Sequence, residues 1–393
     1  MADQSMTQPI PEFNMTDNQR MVQKMARDFA EKEIRPVFMK YDESMEFPFE
    51  IVKKLGELGF MGVIFPEEYG GAGMGYLEYV TIIEEITKVD PSVGLTIAAH
   101  NSLCTNHIYA FGSEEQKRKF LPNLASGKHI GAWALTEPTS GSDAGGLRTT
   151  AQRDGNFYIL SGSKNFITHG SVGQVTVVMA LTDKSKGKKG ISAFIVENDS
   201  PGFIVSKKEN KLGMRCCDTA ALAFDGCKVP KGNLIGEEGM GFRQALTVLD
   251  GGRISIAALS LGIAQAALDA CLKYAKERQQ FGKPIGEFQA IQWKLSEMAT
   301  QIEAARLLTY RSAFLKDQGK EVVLESSMAK YFSSEVAVMA TNEAVQIHGG
   351  YGFIKDFPVE KLYRDVKVCT IGEGTSEIQK LVIARELLDL HRS

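Results

Sequence analysis

Apolar residues recur at helical intervals near both ends of the chain. Near the N-terminus, Thr16 and Gln19 have the spacing of a capping box, and Val22, Met25 and Phe29 follow at steps of three or four residues. The last third of the chain has two longer stripes: Ile256, Leu259, Ile263, Ala267, Ala270 and Tyr274, then Ile291, Leu295, Met298, Ile302 and Ala305. The pattern predicts a helical N-terminal region and a C-terminal bundle of amphipathic helices.

The middle of the chain has a different period. Turns of Gly, Asp and Lys separate short β-branched or aromatic runs at 157–160, 175–181, 191–196, 203–205 and 221–224. This spacing predicts an antiparallel β domain. The predicted fold class is therefore α+β and multidomain. It has an N-terminal α-helical domain at 1–130, a central antiparallel β domain at 131–240 and a C-terminal helical bundle domain at 241–393.

Composition argues against two classes of partner. Lys and Arg number 45 and Asp and Glu number 48, so the net charge is −3. We expect no nucleic acid, because neutralising phosphates needs a clustered basic excess. The most apolar long segment, 254–272, is interrupted by Ser255, Ser260, Gln265 and Asp269. These polar breaks favour a buried helix, so we expect no membrane association.

Cysteine and histidine placement favours a reducing compartment without a bound metal. The six cysteines are scattered, no CxxC occurs, and the histidines show no HExxH spacing. Residues 1–5 lack the basic segment and apolar stretch of a secretory signal. We expect a cytoplasmic protein, or a mitochondrial matrix protein if a transit peptide has been removed.

Common nucleotide-binding motifs are absent from the sequence. No GxGxxG follows a predicted strand, and neither a Walker lysine motif nor a GxSxG nucleophile elbow occurs. A dinucleotide, if one binds, is therefore not held by a Rossmann unit.

The loop at 371–378, IGEGTSEI, places a carboxylate between two glycines just before a helical stretch. Glycines let a backbone approach a ligand closely, so Glu373 can project into a cavity with its own N–H facing the same site. The alternative is a loop at the start of a helix, whose acidic residue complements the helix dipole. The loop by itself does not decide between these two interpretations.

Four stretches resemble the acyl-CoA dehydrogenase family of flavoproteins, and the resemblance covers nearly the whole chain. They are 133–143 (WALTEPTSGSD), 277–282 (ERQQFG), 346–352 (QIHGGYG) and 371–378 (IGEGTSEI). One such match would be weak, whereas four in the right order across this layout are highly specific. The resemblance implies the family's fold, with a C-terminal four-helix bundle, and FAD held between the β domain and that bundle.

The resemblance also implies which residues bind the cofactor and the substrate. The β-domain group that contacts the isoalloxazine is Trp133, Leu135, Thr136, Gly141, Ser142, Phe166, Ile167 and Thr168. The group that reaches the cofactor of a neighbouring subunit is Arg278, Gln280, Phe281, Gln346, Ile347, Gly349 and Gly350. Gln289, Thr375 and Glu377 complete the cofactor site. The positions that match thioester binding are Ser142, Asp250, Arg253 and Gly374.

Several of these residues also have a purely structural interpretation. Trp133 can be a core residue, His348 can cap its loop, and the glycines at 349–350 can permit a tight turn. Arg278 and the adjacent Glu277 can form a surface ion pair of little energetic weight. Only the joint pattern favours the functional interpretation.

The implied reaction is α,β-dehydrogenation of an acyl-CoA to the 2-enoyl-CoA. Glu373 removes the pro-R α-proton while the β-hydride passes to the flavin. Some relatives carry the base on the helix near Leu249, but the matching position here is Gly252, which cannot act as a base. Asp250 is the nearest competing carboxylate, and its matched role is to hold the ligand. Glu373 is therefore the candidate catalytic residue.

Two positions bear on the acyl group. Many straight-chain relatives have Tyr just before the base, whereas this chain has Gly372, which favours a short, branched or cyclic acyl-CoA. The alternative is that another side chain fills the space. Glutaryl-specific relatives use an Arg that aligns with Gly94, and no Arg or Lys occurs between Val89 and His100. A dicarboxylate is disfavoured, because a buried carboxylate without a partner is costly.

The same resemblance implies partners. Electrons pass to an electron-transfer flavoprotein, and the protein is a homotetramer active in fatty acid metabolism. Two other functions stay open, an acyl-CoA oxidase that uses oxygen directly and a non-catalytic acyl-CoA-binding homologue. Oxidases of the family are usually longer, and a silent homologue has no reason to keep Glu373, so the dehydrogenase is favoured.

Overall fold

The computed structural model describes residues 15–389. Its N-terminal part is helical, and the predicted capping box is confirmed: Gln19 N donates to Thr16 Oγ1 at 3.2 Å, and Thr16 N donates to Gln19 Oε1 at 3.0 Å. The helices are α1 (Asp17–Phe29), α2 (Phe38–Ser44), α3 (Phe49–Glu57), α4 (Tyr76–Thr87), α5 (Pro91–Ala99), α6 (Asn106–Phe111) and α7 (Glu114–Ala125).

The predicted β domain forms one sheet. Its strands are β1 (Gly131–Ala134), β2 (Thr150–Asp154), β3 (Phe157–Thr168), β4 (Val175–Leu181), β5 (Ile191–Glu197), β6 (Phe203–Lys208), β7 (Thr219–Pro230) and β8 (Leu234–Ile235). The order is β6-β7-β3-β2-β4-β5-β8, and β1 pairs with β4. Both central strands β4 and β5 are almost entirely buried, as expected for their continuous apolar runs.

The sheet is mixed, which corrects the predicted antiparallel arrangement at two pairings. β1 runs parallel to β4, with Gly131 opposite Val175, and β2 meets β4 in parallel at Thr150 and Leu181. The other pairings are antiparallel. Parallel neighbours need a long connection, and the chain supplies one between β1 and β4 by way of β2 and β3.

Long helices form the C-terminal part, as the two apolar stripes predict. They are α8 (Gly241–Glu277), α9 (Gln289–Asp317), α10 (Val323–His348) and α12 (Ser376–Leu387), with the shorter α11 (Val359–Asp365) and a hairpin of β9 (Gln279–Gln280) and β10 (Lys283–Pro284). α10 packs against α8, α9 and α12, and α8 packs against α9. The predicted order of helices, sheet and helical bundle is confirmed.

Helix α8 is the core helix that joins these parts. Within residues 15–389 it alone is long and apolar enough to cross a membrane, but 83% of its most apolar window is buried in the protein. α4, α5 and α10 pack around it, and β5 contacts its first turn. The domain division at residues 130 and 240 stays a prediction; β1 begins at Gly131 and α8 at Gly241.

Candidate active site

The loop before α12 has an unusual backbone. Glu373 has φ +53° and Gly374 has φ +97°, so two consecutive residues adopt conformations with positive φ. Thr375 then caps α12, because its side chain accepts a hydrogen bond from Ile378 N at 3.3 Å. A non-glycine residue at positive φ is uncommon and marks a backbone that its surroundings hold in place.

The Glu373 carboxylate points away from solvent toward α8. Its Oε2 atom is inaccessible and has no hydrogen-bond partner within residues 15–389. The atom lies over Gly252, where an added Cβ would stand only 1.8 Å away. Burial raises the pKa of Glu373 to about 7, although the positive charges of Lys330 and Arg253 oppose that rise. The carboxyl group can therefore accept or release a proton near neutral pH.

Asp250 and Arg253 flank Gly252 on the same turns of α8. Arg253 Nη1 donates to Asp250 Oδ1 at 2.8 Å and to Ser327 Oγ at 3.4 Å. Arg253 is buried, and its Nε has no partner in the described part of the chain. Burial raises the pKa of Asp250. An ion pair and the candidate base thus share one end of α8.

The β-domain residues of the predicted cofactor site come together on one face. Asn165 N donates to Thr136 O at 2.9 Å, so the segment after β1 lies beside the end of β3. Ile167 is buried and Thr168 half-buried, whereas the Phe166 ring is 67% exposed at φ +57°. Leu135 is buried beside Thr136. The exposed ring of Phe166 therefore lies next to the backbone that joins Asn165 to Thr136.

Trp133 and the Gly141–Ser142 pair border this face. Trp133 is half-buried and donates from Nε1 to His107 Nδ1 at 3.0 Å, so part of its role is packing. Gly141 and Ser142 are exposed, and an added Cβ at Gly141 meets nothing within 4 Å. The loop is thus open to a ligand.

The second predicted group gathers at the other end of α8. A cavity of about 480 Å³ is lined by Arg278, Gln280, Ile347, Gly349 and Gly350, together with Tyr274, Ile285, His348, Tyr351 and Ile354. The remaining members, Gln346 and Phe281, are exposed, with the Phe281 ring 92% exposed. Of the three residues predicted to complete the cofactor site, Gln289 and Glu377 are exposed and Thr375 is half-buried.

The contacts of His348 and Arg278 bear on the structural alternatives for these two residues. His348 stacks on Tyr274 with ring centroids 4.2 Å apart, and its Nδ1 lies 2.8 Å from Ala344 O, so it packs within its own helix end. The Arg278 guanidinium lies 5.3 Å from the centre of the Tyr351 ring. Arg278 therefore contacts an aromatic face beside the cavity.

The two groups lie far apart within one chain. Gly252 and Arg278 are separated by about two thirds of α8, roughly 39 Å at the helical rise per residue. Glu373, Asp250 and Arg253 belong to the first end and the cavity belongs to the second. The cavity and the Glu373 end of α8 are therefore separate features of the chain.

Three buried polar residues near the site were missed by sequence reasoning. Lys164 Nζ donates to Leu135 O at 3.0 Å and to Glu137 Oε1 at 2.8 Å. Lys330 Nζ donates to Gly374 O at 2.7 Å, and Gln379 Nε2 donates to Glu373 O at 3.1 Å. Strand parity could have found Lys164, because Tyr158, Leu160 and Lys164 share the inward face of β3. No sequence signal marks Lys330 or Gln379 as buried.

The described residues fit a flavin dinucleotide better than a metal. No group of three or more His, Cys, Asp or Glu side chains in residues 15–389 could hold a metal ion. An added Cβ at Gly349 or Gly350 meets nothing within 4 Å, so the backbone there is open to close approach. Arg278 faces the same cavity and could pair with a pyrophosphate.

Helices, a mixed sheet and a helical bundle follow one another along the chain, and the Glu373 carboxylate of the loop before α12 lies over Gly252 of α8. Three models match in order: "Acyl-CoA dehydrogenase, N-terminal domain" at 16–128, "middle domain" at 132–227 and "C-terminal domain" at 239–388. The chain belongs to the acyl-CoA dehydrogenase family. It is an FAD-dependent enzyme, as the resemblance in the sequence implies.

Individual proteins support the same assignment. An acyl-CoA dehydrogenase of Bacillus subtilis (strain 168) is 52% identical over 96% of this chain and 99% of its own. The butyryl-CoA dehydrogenase structure from Megasphaera elsdenii has a TM-score of 0.94 and 46% identity, covering 96% of this chain and 100% of that one. A structure from work on the electron transferring flavoprotein of Acidaminococcus fermentans has a TM-score of 0.95 and 49% identity, covering 96% and 99%.

Proposed function

We propose that this protein dehydrogenates a short acyl-CoA to its 2-enoyl-CoA and that Glu373 is the base. The observation that carries the proposal is the Glu373 carboxylate: its Oε2 is inaccessible to water and unpartnered in the described chain, and burial raises the pKa of the group to about 7. A base with a pKa near the working pH balances the ionised fraction against basicity.

The neighbouring residues supply binding and orientation. Asp250 precedes Gly252 by two residues on α8 and Arg253 directly follows it, so this pair could hold the thioester arm while the α-carbon lies against Glu373. Gly374 would let the loop backbone approach the thioester, and the exposed Ser142 of the 133–143 stretch would contribute a hydroxyl. A backbone N–H of Glu373 aimed at the thioester oxygen would stabilise the negative charge that proton removal creates there.

The β-domain face and the cavity at the far end of α8 would hold FAD. Leu135, Thr136 and the 166–168 edge would contact the isoalloxazine, with Trp133, Gly141, Gln289, Thr375 and Glu377 around it. When bound, FAD supplies the acceptor for the β-hydride. The contribution of the protein is to place the α-proton at Glu373 and to exclude water from that carboxylate.

Two glycine positions support a short acyl group without a second carboxylate. An added Cβ at Gly94 would stand 2.0 Å from Thr87 Oγ1 and 3.1 Å from Leu259 Cδ1, so no arginine fits there. An added Cβ at Gly372 meets only Val368, at 3.4 and 3.8 Å, so the space beside the base is open. The Megasphaera elsdenii relative acts on butyryl-CoA by its name. A short, branched or cyclic acyl-CoA is therefore the proposed substrate class.

We infer a homo-oligomer, and a homotetramer from the family resemblance. The length of α8 supports this inference, because the Arg278 cavity and the Glu373 end of one chain cannot serve one cofactor. The Phe281 ring and the Phe353 ring, which is 87% exposed, would be covered by neighbouring subunits.

The electron acceptor and the compartment are proposals of the same kind. An electron-transfer flavoprotein is the proposed acceptor, and the similarity to the Acidaminococcus fermentans structure supports it. All six cysteines are unpaired and buried, which fits a reducing compartment such as the cytoplasm or mitochondrial matrix.

Anaerobic mixing tests the reaction. Purified protein with bound FAD is mixed with butyryl-, isobutyryl-, cyclohexanecarbonyl-, octanoyl- and glutaryl-CoA, and absorbance at 450 nm is followed. Short, branched or cyclic thioesters should bleach the flavin fastest and glutaryl-CoA slowest. Glu373→Gln should slow bleaching by about 10²–10⁴-fold. Glu115→Gln, which changes an exposed carboxyl on α7, is the matched control and should leave the rate unchanged.

Each alternative function has its own result in this experiment. Hydrogen peroxide formed in air at the turnover rate would indicate the oxidase. Tight acyl-CoA binding without bleaching by any thioester would indicate a non-catalytic homologue. Bleaching that Glu373→Gln does not slow would refute Glu373 as the base.

A further inference from the structure

Lys330 is a buried lysine that no ion pair explains. It lies on α10 with 0% of its surface exposed. The other two fully buried lysines have carboxylate partners: Lys164 pairs with Glu137 at 2.8 Å, and Lys361 pairs with two aspartates at 2.7 and 2.6 Å. Within residues 15–389 no carboxylate lies within 4.0 Å of Lys330 Nζ. An unpaired buried ammonium is costly, so its position calls for a function.

The one hydrogen bond of Lys330 ends on the loop of the candidate base. Its Nζ donates to Gly374 O at 2.7 Å, and Gln379 Nε2 donates to the same oxygen at 3.1 Å. Gln379 also donates to Glu373 O at 3.1 Å. Two side chains from different helices therefore hold the turn in which Glu373 and Gly374 have positive φ.

The electrostatic surroundings make Lys330 the uncompensated cation beside Glu373. The charged or titratable groups that face Lys330 are Cys369, Glu373, Arg253 and Glu335, and those that face Glu373 are Lys330 and Arg253, with the Tyr79 hydroxyl also nearby. Asp250 neutralises Arg253 at 2.8 Å, and Glu335 accepts a hydrogen bond from Ser376 Oγ at 2.6 Å. Lys330 has no such partner within residues 15–389. Burial lowers the pKa of Lys330 to about 8, so its ammonium form persists at neutral pH, where its charge acts on Cys369 and on the candidate base.

We propose that Lys330 is a positioning residue of the reaction: its ammonium group fixes the Gly374 carbonyl so that Glu373 points over Gly252, and its charge favours the ionised carboxylate. This inference rests on the proposed role of Glu373 as the base. Both effects act through Glu373, because the one hydrogen bond that the Lys330 side chain makes within residues 15–389 ends on the loop that carries Glu373. The charge effect opposes burial, which by itself would protonate the carboxyl at neutral pH.

Three substitutions separate the hydrogen bond from the charge. Lys330→Gln keeps a donor and removes the charge, Lys330→Arg keeps both, and Lys330→Met removes both. The flavin-loaded variants are mixed anaerobically with subsaturating butyryl-CoA between pH 5.5 and 8, because subsaturating rates report the free enzyme. We expect the midpoint of the rising limb to move up by about one pH unit in the Gln and Met variants and to stay unchanged in the Arg variant.

Gln379→Leu is the matched control. It removes the other donor to the same carbonyl and leaves the charge of Lys330 in place. We expect a slower reaction with an unmoved midpoint. A midpoint that stays at the wild-type value in Lys330→Gln and Lys330→Met, or that moves equally in Gln379→Leu, would overturn the proposal. If Lys330→Met does not fold, the proposal is tested by comparing the pH midpoints of Lys330→Gln and Lys330→Arg.

A second measurement does not depend on turnover. Thermal unfolding is followed between pH 5 and 8 for wild type, Lys330→Gln, Glu373→Gln and the double variant. We expect the pH dependence contributed by Glu373 to move to higher pH when Lys330 is neutral; additive effects at every pH would overturn the proposal. A wild-type protein that no acyl-CoA bleaches would contradict the proposed function, and the unfolding experiment would still test the coupling.

Discussion

The carboxylate of Glu373 occupies the space that a side chain at Gly252 would take. An added Cβ at Gly252 would stand 1.8 Å from Glu373 Oε2 and 2.8 Å from its Cδ. The two residues are 121 positions apart in the sequence, on α8 and on the loop before α12. The absence of a side chain at 252 therefore decides where the carboxylate can point.

Gly252→Ala should displace the base. The new methyl group overlaps Oε2, so the Glu373 side chain must turn away from its position over α8. A displacement of about 1 Å at a reacting group can cost about 10²-fold, and we expect a loss of that size in the rate of flavin bleaching. Gly232→Ala is the control, since an added Cβ there meets nothing within 4 Å. An unchanged rate in Gly252→Ala with full FAD content would contradict this arrangement.

The sequence predicted the type and order of the secondary-structure elements, but it did not predict the direction in which neighbouring strands pair. Periodicity separated helices from strands, because burial on one side repeats with the geometry of each element. It could not show that β1 runs parallel to β4, since the apolar pattern of a strand is the same for either direction. The motifs pointed to the Glu373 loop, but the position of its carboxylate depends on Gly252 on a distant helix.

The polar residues that support the site were harder to predict. A lysine in a helix usually faces water, and nothing in the sequence around Lys330 marks it as an exception. Its burial follows from the packing of α10 against α8 and α12, which is a tertiary property. Lys164 was predictable in principle, because it shares the inward parity of Tyr158 and Leu160 on β3.

Stability should depend on pH through Glu373. Its pKa is about 7 in the folded protein against 4.5 for the ordinary side chain, so between those values the folded state binds more protons than the unfolded state. Stability from this group is therefore present below pH 4.5 and is lost as pH rises to about 7. The loss is on the order of 3 kcal/mol. Glu373→Gln should gain thermal stability relative to wild type at pH 8 but not at pH 5. If Glu373→Gln changed the melting temperature by the same amount at pH 5 and at pH 8, the raised pKa of Glu373 would be contradicted.

Lys164→Met should weaken both the sheet and FAD retention. It leaves the buried carboxylate of Glu137 without its cation, and it removes the donor that holds Leu135 O next to Thr136. Breaking a buried pair in this way typically costs about 3–5 kcal/mol, which urea unfolding would measure. Flavin release on dilution should be faster. Lys186→Met, at an exposed pair with Asp183, should change stability by less than about 1 kcal/mol. If Lys164→Met and Lys186→Met changed the free energy of unfolding and the rate of flavin release equally, Lys164 would have no special role in holding Glu137 and the segment at Leu135.

The separation along α8 can be tested by mixing subunits. If each site takes Glu373 from one chain and Arg278 from its neighbour, Arg278→Glu chains lose FAD at the neighbour's site, and Glu373→Gln chains have no base. The Arg278→Glu homo-oligomer should then be inactive because it lacks FAD, and the Glu373→Gln homo-oligomer should be inactive because it lacks the base.

Co-expression should restore activity, because a mixed pair contains one site with an intact Glu373 from the first chain and an intact Arg278 from the second. With random pairing, about a quarter of all sites are competent before purification, and about half of the sites in the purified mixed pairs are competent. The measurement is bleaching by butyryl-CoA after purification through two different affinity tags. Co-expression of Glu373→Gln chains with Gly252→Ala chains is the control. Both changes lie at the same end of α8, so a mixed pair contains no undamaged site. Activity no greater than in this control would mean that Glu373 and Arg278 of one chain serve the same site. Such a result is hard to reconcile with the roughly 39 Å of helix between Gly252 and Arg278.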